Sequence, residues 1–327
     1  MLRRVAFRFG ILDYPAVRKA HTQPMPLLGG VGLYIAVLSA LLLYPDRLEI
    51  VQGSGILIGA TWISFWGLWD DRSGLGVPLK FLVQVVAVLV LLISGIRVQL
   101  PLPGWLNLAL TFFWVIGITN AFNLLDNVDG LCGGIGAVAA AIFLALAAIQ
   151  GQYLVSAFAA ALLGACLGFL LYNFNPARIF MGDVGSLFLG FLLAALGIKL
   201  RFPAQVPWVT WMIPVVVLGV PIFDTTLVCY SRLRRGKNPL TTPGQDHLSH
   251  RLLCLGWTLR RAVLFHYALG LALGGVAFYL SSAPVGVAYW GGAGLVVLAV
   301  GALVWLERRA PVGDMQVEGR EGAVHAR

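Results

Sequence analysis

Six aspartates, Asp70, Asp71, Asp126, Asp129, Asp183 and Asp224, stand at the ends of long apolar runs in a chain where only 11% of residues are charged. A carboxylate carried to the centre of a membrane helix costs roughly +2.5 to +3.5 kcal/mol on insertion scales, so acids kept near hydrocarbon mark working positions. Any one of them reads well as a helix cap or a lysine's partner; six on one side of an apolar protein do not. In WDDRSGLGVPLKFLVQ (69–84), Asp70 and Asp71 are adjacent and Lys80 returns at the start of the next run. Two neighbouring anions call for a cation, which is either Lys80 or a metal.

NAFNLLDNVDGLCGGIG (120–136) sets Asp126 and Asp129 three apart, on one face if that stretch is helical, with Asn120 and Asn123 as neutral donors and acceptors. Gly130, Gly133, Gly134 and Gly136 allow close approach of either a ligand phosphate or a packed helix. YNFNPARIFMGDVGS (172–186) supplies Asn173, Asn175, Arg178, Phe180 and Asp183 in a turn entering a helix, whose free amides attract anions. Asp183 could cap that helix or hold a metal that holds phosphate. The loop 229–260 carries Arg232, Arg234, Arg235 and Lys237, then His247 and His250 on a short helix. Positive-inside anchoring accounts for the basic cluster as well as anion binding does. Two imidazoles at i and i+3 are too few for zinc but can hydrogen-bond phosphate. Together the set suits Mg2+ held by one or two carboxylates plus substrate phosphates, which means a membrane enzyme acting on a phosphorylated substrate.

The elements that position these groups are membrane helices. Of 327 residues 59% are hydrophobic, and the mean hydropathy is +0.86. Apolar runs fall near 27–44, 52–69, 78–95, 105–119, 131–149, 154–171, 185–200, 207–228, 261–281 and 285–305. They predict an all-α polytopic bundle of about ten spans, with 105–119 and 185–200 the shortest. The runs are continuous rather than alternating, and open strands cannot satisfy their backbone in lipid. Residues 1–26 lack the apolar stretch of a secretory signal, so the first span is expected to direct insertion. Cys132, Cys166, Cys229 and Cys254 have no CxxC spacing and indicate neither zinc nor a disulfide frame.

With the N-terminus inside, Arg47, Arg97, Lys199 and Arg201 fall outside and the other nineteen of the 23 Lys and Arg fall inside. That asymmetry predicts a multi-pass protein of the plasma (inner) membrane with its six aspartates facing the cytoplasm. It also explains the net charge of +9 without nucleic acid. We expect one transmembrane domain over 1–306, with the cytoplasmic loop 229–260, and a disordered tail over 307–327.

Six motifs recur in order: DYPAVRKAHTQPMPLLGG (13–30), the aspartate pair with Lys80, NAFNLLDNVDG, NPARIFMGDVGSLFLG, PIFDT (221–225) and DHLSHRLL (246–253). In these the chain resembles the polyprenyl-phosphate N-acetylhexosamine-1-phosphate transferases. The resemblance implies transfer of a sugar-1-phosphate, GlcNAc-1-phosphate in the leading reading, from a UDP-sugar to undecaprenyl phosphate. UMP is released, in the first membrane step of a cell-envelope polysaccharide. It makes Asp183 the Mg2+ ligand, with Asp71 or Asp126 as partner and Mn2+ as a substitute ion. Asp70, Asp71 and Asp126 become the catalytic acids, Asp70 positioning or deprotonating the lipid phosphate. It sets Lys80, Asn123, Asp129, Asn173, Phe180, His247 and His250 against the substrates, Phe180 stacking on uracil. Expected partners are the UDP-sugar, the polyprenyl phosphate and membrane lipids, with a second copy of the chain as a candidate.

Three departures stand out. Ser249 replaces a histidine of the usual histidine motif, Asn127 and Val128 alter the family's DGLDG form, and the start MLRRVAFRFGILDYP resembles the cytoplasmic segment that normally follows the family's first membrane helix, as a truncated start would. Phospho-MurNAc-pentapeptide transfer is the nearest alternative within the family, disfavoured because the loop lacks consecutive histidines. An ion-coupled transporter predicts polar residues at mid-span, where this chain has almost none. A structural scaffold leaves the ordered acidic motifs unexplained.

Overall fold

The computed structural model describes residues 2–14, 23–43, 49–239, 242 and 244–309. A short helix α1 (Leu2–Phe9) leads into two two-residue strands, β1 (Leu12–Asp13) and β2 (Met25–Pro26), paired antiparallel with Leu12 opposite Pro26. Everything else regular is helix: α2 (Gly29–Leu42), α3 (Ile50–Ser73), α4 (Val77–Ile93), α5 (Gly104–Leu125), α6 (Leu131–Ile149), α7 (Tyr153–Asn173) and α8 (Gly182–Lys199), followed by α9 (Pro207–Val217), α10 (Gly219–Arg234), α11 (Leu248–Cys254), α12 (Leu259–Leu280) and α13 (Val285–Arg309).

Each of the ten apolar runs coincides with a helix or with the pair α9 and α10. Six helices, α5, α6, α7, α8, α12 and α13, are long and apolar enough to cross a membrane, and the bent pair makes a seventh. The expected spans α2 and α4 are shorter, at 14 and 17 residues, and the 24-residue α3 is less apolar, ending on Asp70, Asp71 and Arg72. The run 105–119 gains a turn at its polar end, because Asn120 and Asn123 continue α5 as far as Leu125. Between α9 and α10 the axis turns by 75°. Pro221 has no N–H for the carbonyl one turn back, which removes a rung from the helix ladder beside that break.

The bundle is organised around α8, buried along nearly its whole length and packed against α3, α5, α2 and α6. Small residues make that possible. A side chain at Gly67 of α3 would lie 2.7 Å from Val184 Cα, and one at Gly190 of α8 would lie 2.8 Å from Thr119 Cα of α5. Close backbone approach of this kind substitutes for hydrophobic burial when the solvent is lipid. At the periphery, α13 buries only Ala288 and Leu306 and leaves Trp290, Val297 and Leu298 open, as a lipid-facing helix does. The sequence elements over 15–22 and 44–48, which include Arg18, Lys19 and Arg47, lie outside the described residues, as does the tail beyond 309.

Candidate active site

The N-terminus of α8 meets the C-terminal ends of α3 and α5, and that junction collects the acids. Gly182 opens α8 with φ +69°, a left-handed conformation that glycine adopts without steric cost. A side chain there would collide with the Asp71 carboxylate. Asp71 accepts from the backbone N–H of Asp183 (2.8 Å to Oδ1) and of Val184 (3.2 Å to Oδ2). Both its oxygens therefore satisfy amides that a helix N-terminus leaves without partners.

Asp70, one step round α3, faces a different neighbour. Its Oδ1 accepts from Leu75 N–H (2.6 Å), fixing the turn after α3, and its Oδ2 pairs with Lys80 Nζ. The same ammonium donates to Asp183 Oδ2 at 3.0 Å. Asp183 Oδ1 accepts from Asn123 Nδ2 (2.9 Å), which also reaches Ser186 Oγ (3.0 Å). Thus α3, α4 and α5 each contribute one side chain, and α8 two, to a compact network. The Lys80 and Asp183 side chains keep 35% and 28% of their surface open against 5% for Asp70, so a ligand can reach the first two and not the third. Gln84 and Asn120 pair through their amides beside this network.

Asp126 ends α5 half-buried, and among the described residues no hydrogen-bond donor engages its carboxylate. Burial pushes its pKa up to about 7, helped by the negative charges of Asp183 and Asp129. Asp129 is committed elsewhere: its Oδ2 accepts from Asn175 Nδ2 (3.1 Å) and Ala177 N–H (3.0 Å). Asn173 completes the tie, accepting from Gly130 N–H (2.9 Å) and donating to the Ile179 carbonyl (2.9 Å). These two residues join the 126–130 turn to the segment 173–181. Phe180 is half-buried on that segment, its N–H bonded to Pro26 O (2.8 Å) and its carbonyl to Gly29 N–H (3.0 Å). The glycines after Asp129 serve packing: Gly133 abuts the Phe169 ring, Gly134 the Tyr267 ring and Gly136 the Leu189 side chain.

The histidines form an adjoining cluster. Asp224 of α10 accepts from His247 Nδ1–H at 2.7 Å and from Leu248 N–H at 2.7 Å, so it both fixes the imidazole and opens α11. Ser249 Oγ donates to Asn127 Oδ1 (2.8 Å), tying α11 to the turn that bears Asp126 and Asp129. His250 lies 5.8 Å from His247 between ring centres, and its Nδ1 is buried without a hydrogen-bond partner. Burial, then the neighbouring His247, lowers its pKa to about 4 and keeps it neutral.

Most of the basic loop is spoken for. Arg232 makes a two-pronged pair with Asp246 (2.8 and 2.9 Å), Arg235 reaches the same acid (3.0 Å), and Arg251 and Arg234 pair with Glu307 at 2.5 and 3.3 Å. The structure thus brings together Asp70, Lys80, Asn123 and Asp183, sets Asp71 as their helix cap, and uses Asp129 and Asn173 as loop staples. Ser186, three residues after Asp183 and on the same helix face, is a site residue the sequence reading omitted. Its spacing was the available signal.

Hard oxygen donors with low exposure suit Mg2+ or Mn2+. Among the described residues no three acid, histidine or cysteine side chains converge on one point, so a cation here would take part of its shell from a substrate. The half-buried Asp126 carboxylate without a donor and the reachable Asp183 carboxylate fit that requirement. Asp71 accepts from two fixed α8 backbone amides, where Asp183 accepts from two side chains, Lys80 and Asn123.

The sequence pattern defining "Glycosyl transferase family 4" matches residues 54–201, the segment from α3 to the end of α8. A Bacillus subtilis protein named "Probable undecaprenyl-phosphate N-acetylglucosaminyl 1-phosphate transferase" is 35% identical over 87% of this chain and 81% of its own length. The decaprenyl-phosphate N-acetylglucosaminephosphotransferase of Mycolicibacterium smegmatis is 34% identical over 96% of this chain and 86% of its own. A phospho-N-acetylmuramoyl-pentapeptide-transferase of Bacillus cytotoxicus is more distant, 29% identical over 85% of this chain and 90% of its own. At this similarity and coverage the chain belongs to the polyprenyl-phosphate N-acetylhexosamine-1-phosphate transferases of glycosyl transferase family 4.

Proposed function

We propose that this chain moves N-acetylglucosamine-1-phosphate from UDP-N-acetylglucosamine onto a polyprenyl phosphate at the cytoplasmic end of a plasma-membrane bundle. The observation that carries the reading is the constellation of Lys80, Asp70, Asp183 and Asn123 at one end of the bundle. It belongs to a chain whose relatives are named for this transfer to undecaprenyl or decaprenyl phosphate. That end lets a soluble nucleotide sugar meet a phosphate whose tail stays in lipid.

In the reaction an oxygen of the lipid phosphate attacks the sugar-linked phosphorus of the UDP-sugar. A new P–O bond forms, the bridging P–O bond to the uridylate phosphate breaks, and UMP leaves with that oxygen. A phosphate monoester has its second pKa near about 6, so the nucleophile is already mostly dianionic at neutral pH and a general base gains little. The larger barrier is bringing two polyanions together. Lys80, reachable and fixed between two carboxylates, is the group positioned to lower it. Asp183 and Asp126 would hold Mg2+, or Mn2+ in its place, which supplies further charge neutralisation and alignment of the phosphate oxygens. Asn123 orients Asp183, and Asp71 fixes the helix end on which Asp183 rides.

The test is UMP release by the purified protein with undecaprenyl phosphate and a panel of UDP-sugars, with Mg2+ and with chelator. We expect turnover with UDP-N-acetylglucosamine that stops on chelation. Transfer from UDP-MurNAc-pentapeptide with none from UDP-N-acetylglucosamine would replace the donor and leave the reaction class standing; no transfer from any UDP-sugar would overturn the reading.

A further inference from the structure

The far end of α8 carries a second feature, unrelated to the acids. A cavity of about 440 Å3 opens there, lined by Gln99, Arg201, Phe202, Gln205, Thr210 and Trp211 among others. It lies ~24 Å along the helix from Asp183, at 1.5 Å per residue, and so belongs to the opposite membrane face. Its lining is mostly apolar with a few convergent polar groups, as in sites for organic ligands, and its size falls in their range.

Arg201 is held rigidly at its edge. Gln152 clamps the backbone on both sides, donating to Arg201 O (2.6 Å) and accepting from Arg201 N–H (3.0 Å). The guanidinium donates to Ile198 O (2.5 Å) and Leu200 O (3.1 Å), and weakly to Gln99 Oε1 (3.4 Å). An arginine has five N–H donors, so two remain, including the one on Nε. Among the described residues no carboxylate pairs with it; the acid nearest in sequence to this face, Glu49, is taken by Lys199 at 3.0 Å. A cation with spare donors, held at the edge of a largely apolar cavity at a membrane surface, is complementary to an oxyanion joined to an apolar body.

We propose that this cavity binds a phosphate oxyanion, presented as the phosphodiester headgroup of an anionic phospholipid in the leaflet opposite the active site. The cavity is far larger than a bare phosphate requires, and its Trp211, Phe202 and proline walls suit a glycerol backbone and the first methylenes of a lipid. Trp is at home at this depth of a membrane.

The experiment is native mass spectrometry of the full chain titrated with phosphatidylglycerol, phosphatidylcholine or inorganic phosphate. The parent should retain one phosphatidylglycerol with at least about ten-fold preference over phosphatidylcholine, and Arg201→Gln should lose that preference. Thr210→Trp fills the cavity while leaving Arg201 in the sequence and should also weaken phosphatidylglycerol binding, which keeps the test sound if the arginine variant folds poorly. Competition by millimolar inorganic phosphate would support the oxyanion site but assign it to a free anion and overturn the lipid source. Equal retention of the two lipids by the parent, or unchanged preference in both variants, would overturn the site altogether.

Discussion

Lys80 Nζ stands between Asp70 and Asp183, 3.0 Å from Asp183 Oδ2, so that one ammonium spans α3, α4 and α8. This places Lys80 on an oxygen that a divalent cation would also use. Lys80→Met should therefore lower UMP release by about 100-fold or more while enlarging the rise in thermal midpoint that Mg2+ produces. Release assays and thermal unfolding in detergent, each with and without Mg2+, check both halves. A smaller Mg2+ effect in the variant would show that lysine and cation do not compete.

Asp71 caps α8 through two backbone amides, so its removal should cost stability as well as activity. A lost side-chain cap costs about 1 to 2 kcal/mol, and Asp71→Ala should unfold earlier in an SDS titration by that amount. Asp183→Asn, which keeps a hydrogen-bonding side chain of the same shape, should unfold close to the parent.

His250 gives the fold a defined acid sensitivity. Its pKa falls from the ordinary 6.5 to about 4 because burial disfavours the charged ring, so the unfolded chain binds that proton more readily. Its contribution to stability is whole above pH 6.5 and is lost as pH falls from there towards 4. His250→Phe, which also removes the buried Nδ1 without a partner, should narrow the gap between midpoints measured at pH 7.5 and pH 5. An identical pH dependence in parent and variant would contradict the placement of this ring.

Ser249 and Asn127 are two of the three motif positions, with Val128, that depart from the family pattern, and they hydrogen-bond to each other at 2.8 Å. Ser249 is 1% exposed, so its hydroxyl faces Asn127 rather than solvent. A double-mutant cycle of Ser249→Ala and Asn127→Ala on stability should give a coupling of about 0.5 to 1.5 kcal/mol, the net value of one such bond. Strict additivity would mean that the two changes are independent.

The bundle was legible because its physics is local: continuous apolar runs forced helices, and all ten expected spans coincide with helical segments. The bend between α9 and α10 was not, since the run 207–228 carries no charged residue before Asp224 and Pro214 and Pro221 alone do not fix where the axis turns. Clustering of Asp70, Lys80, Asn123 and Asp183 could be anticipated from motif order, but not the division of labour among the acids. Adjacent Asp70 and Asp71 look alike in sequence, yet a rotation of about 100° along α3 turns one to Lys80 and the other to the α8 amides. The partners of the basic loop were hidden for a similar reason. Asp246 lies 14 residues from Arg232, and Glu307 lies 56 from Arg251, so their pairing depends on tertiary contacts that charge counting does not reveal.

The central claim is that Asp183, at the point where α3, α4, α5 and α8 meet, is indispensable to sugar-1-phosphate transfer and dispensable for folding. The most direct measurement is UMP release by purified Asp183→Asn with UDP-N-acetylglucosamine, undecaprenyl phosphate and saturating Mg2+, beside its unfolding midpoint. The account predicts no release above background from a protein that unfolds like the parent; turnover near the parent's rate would contradict it.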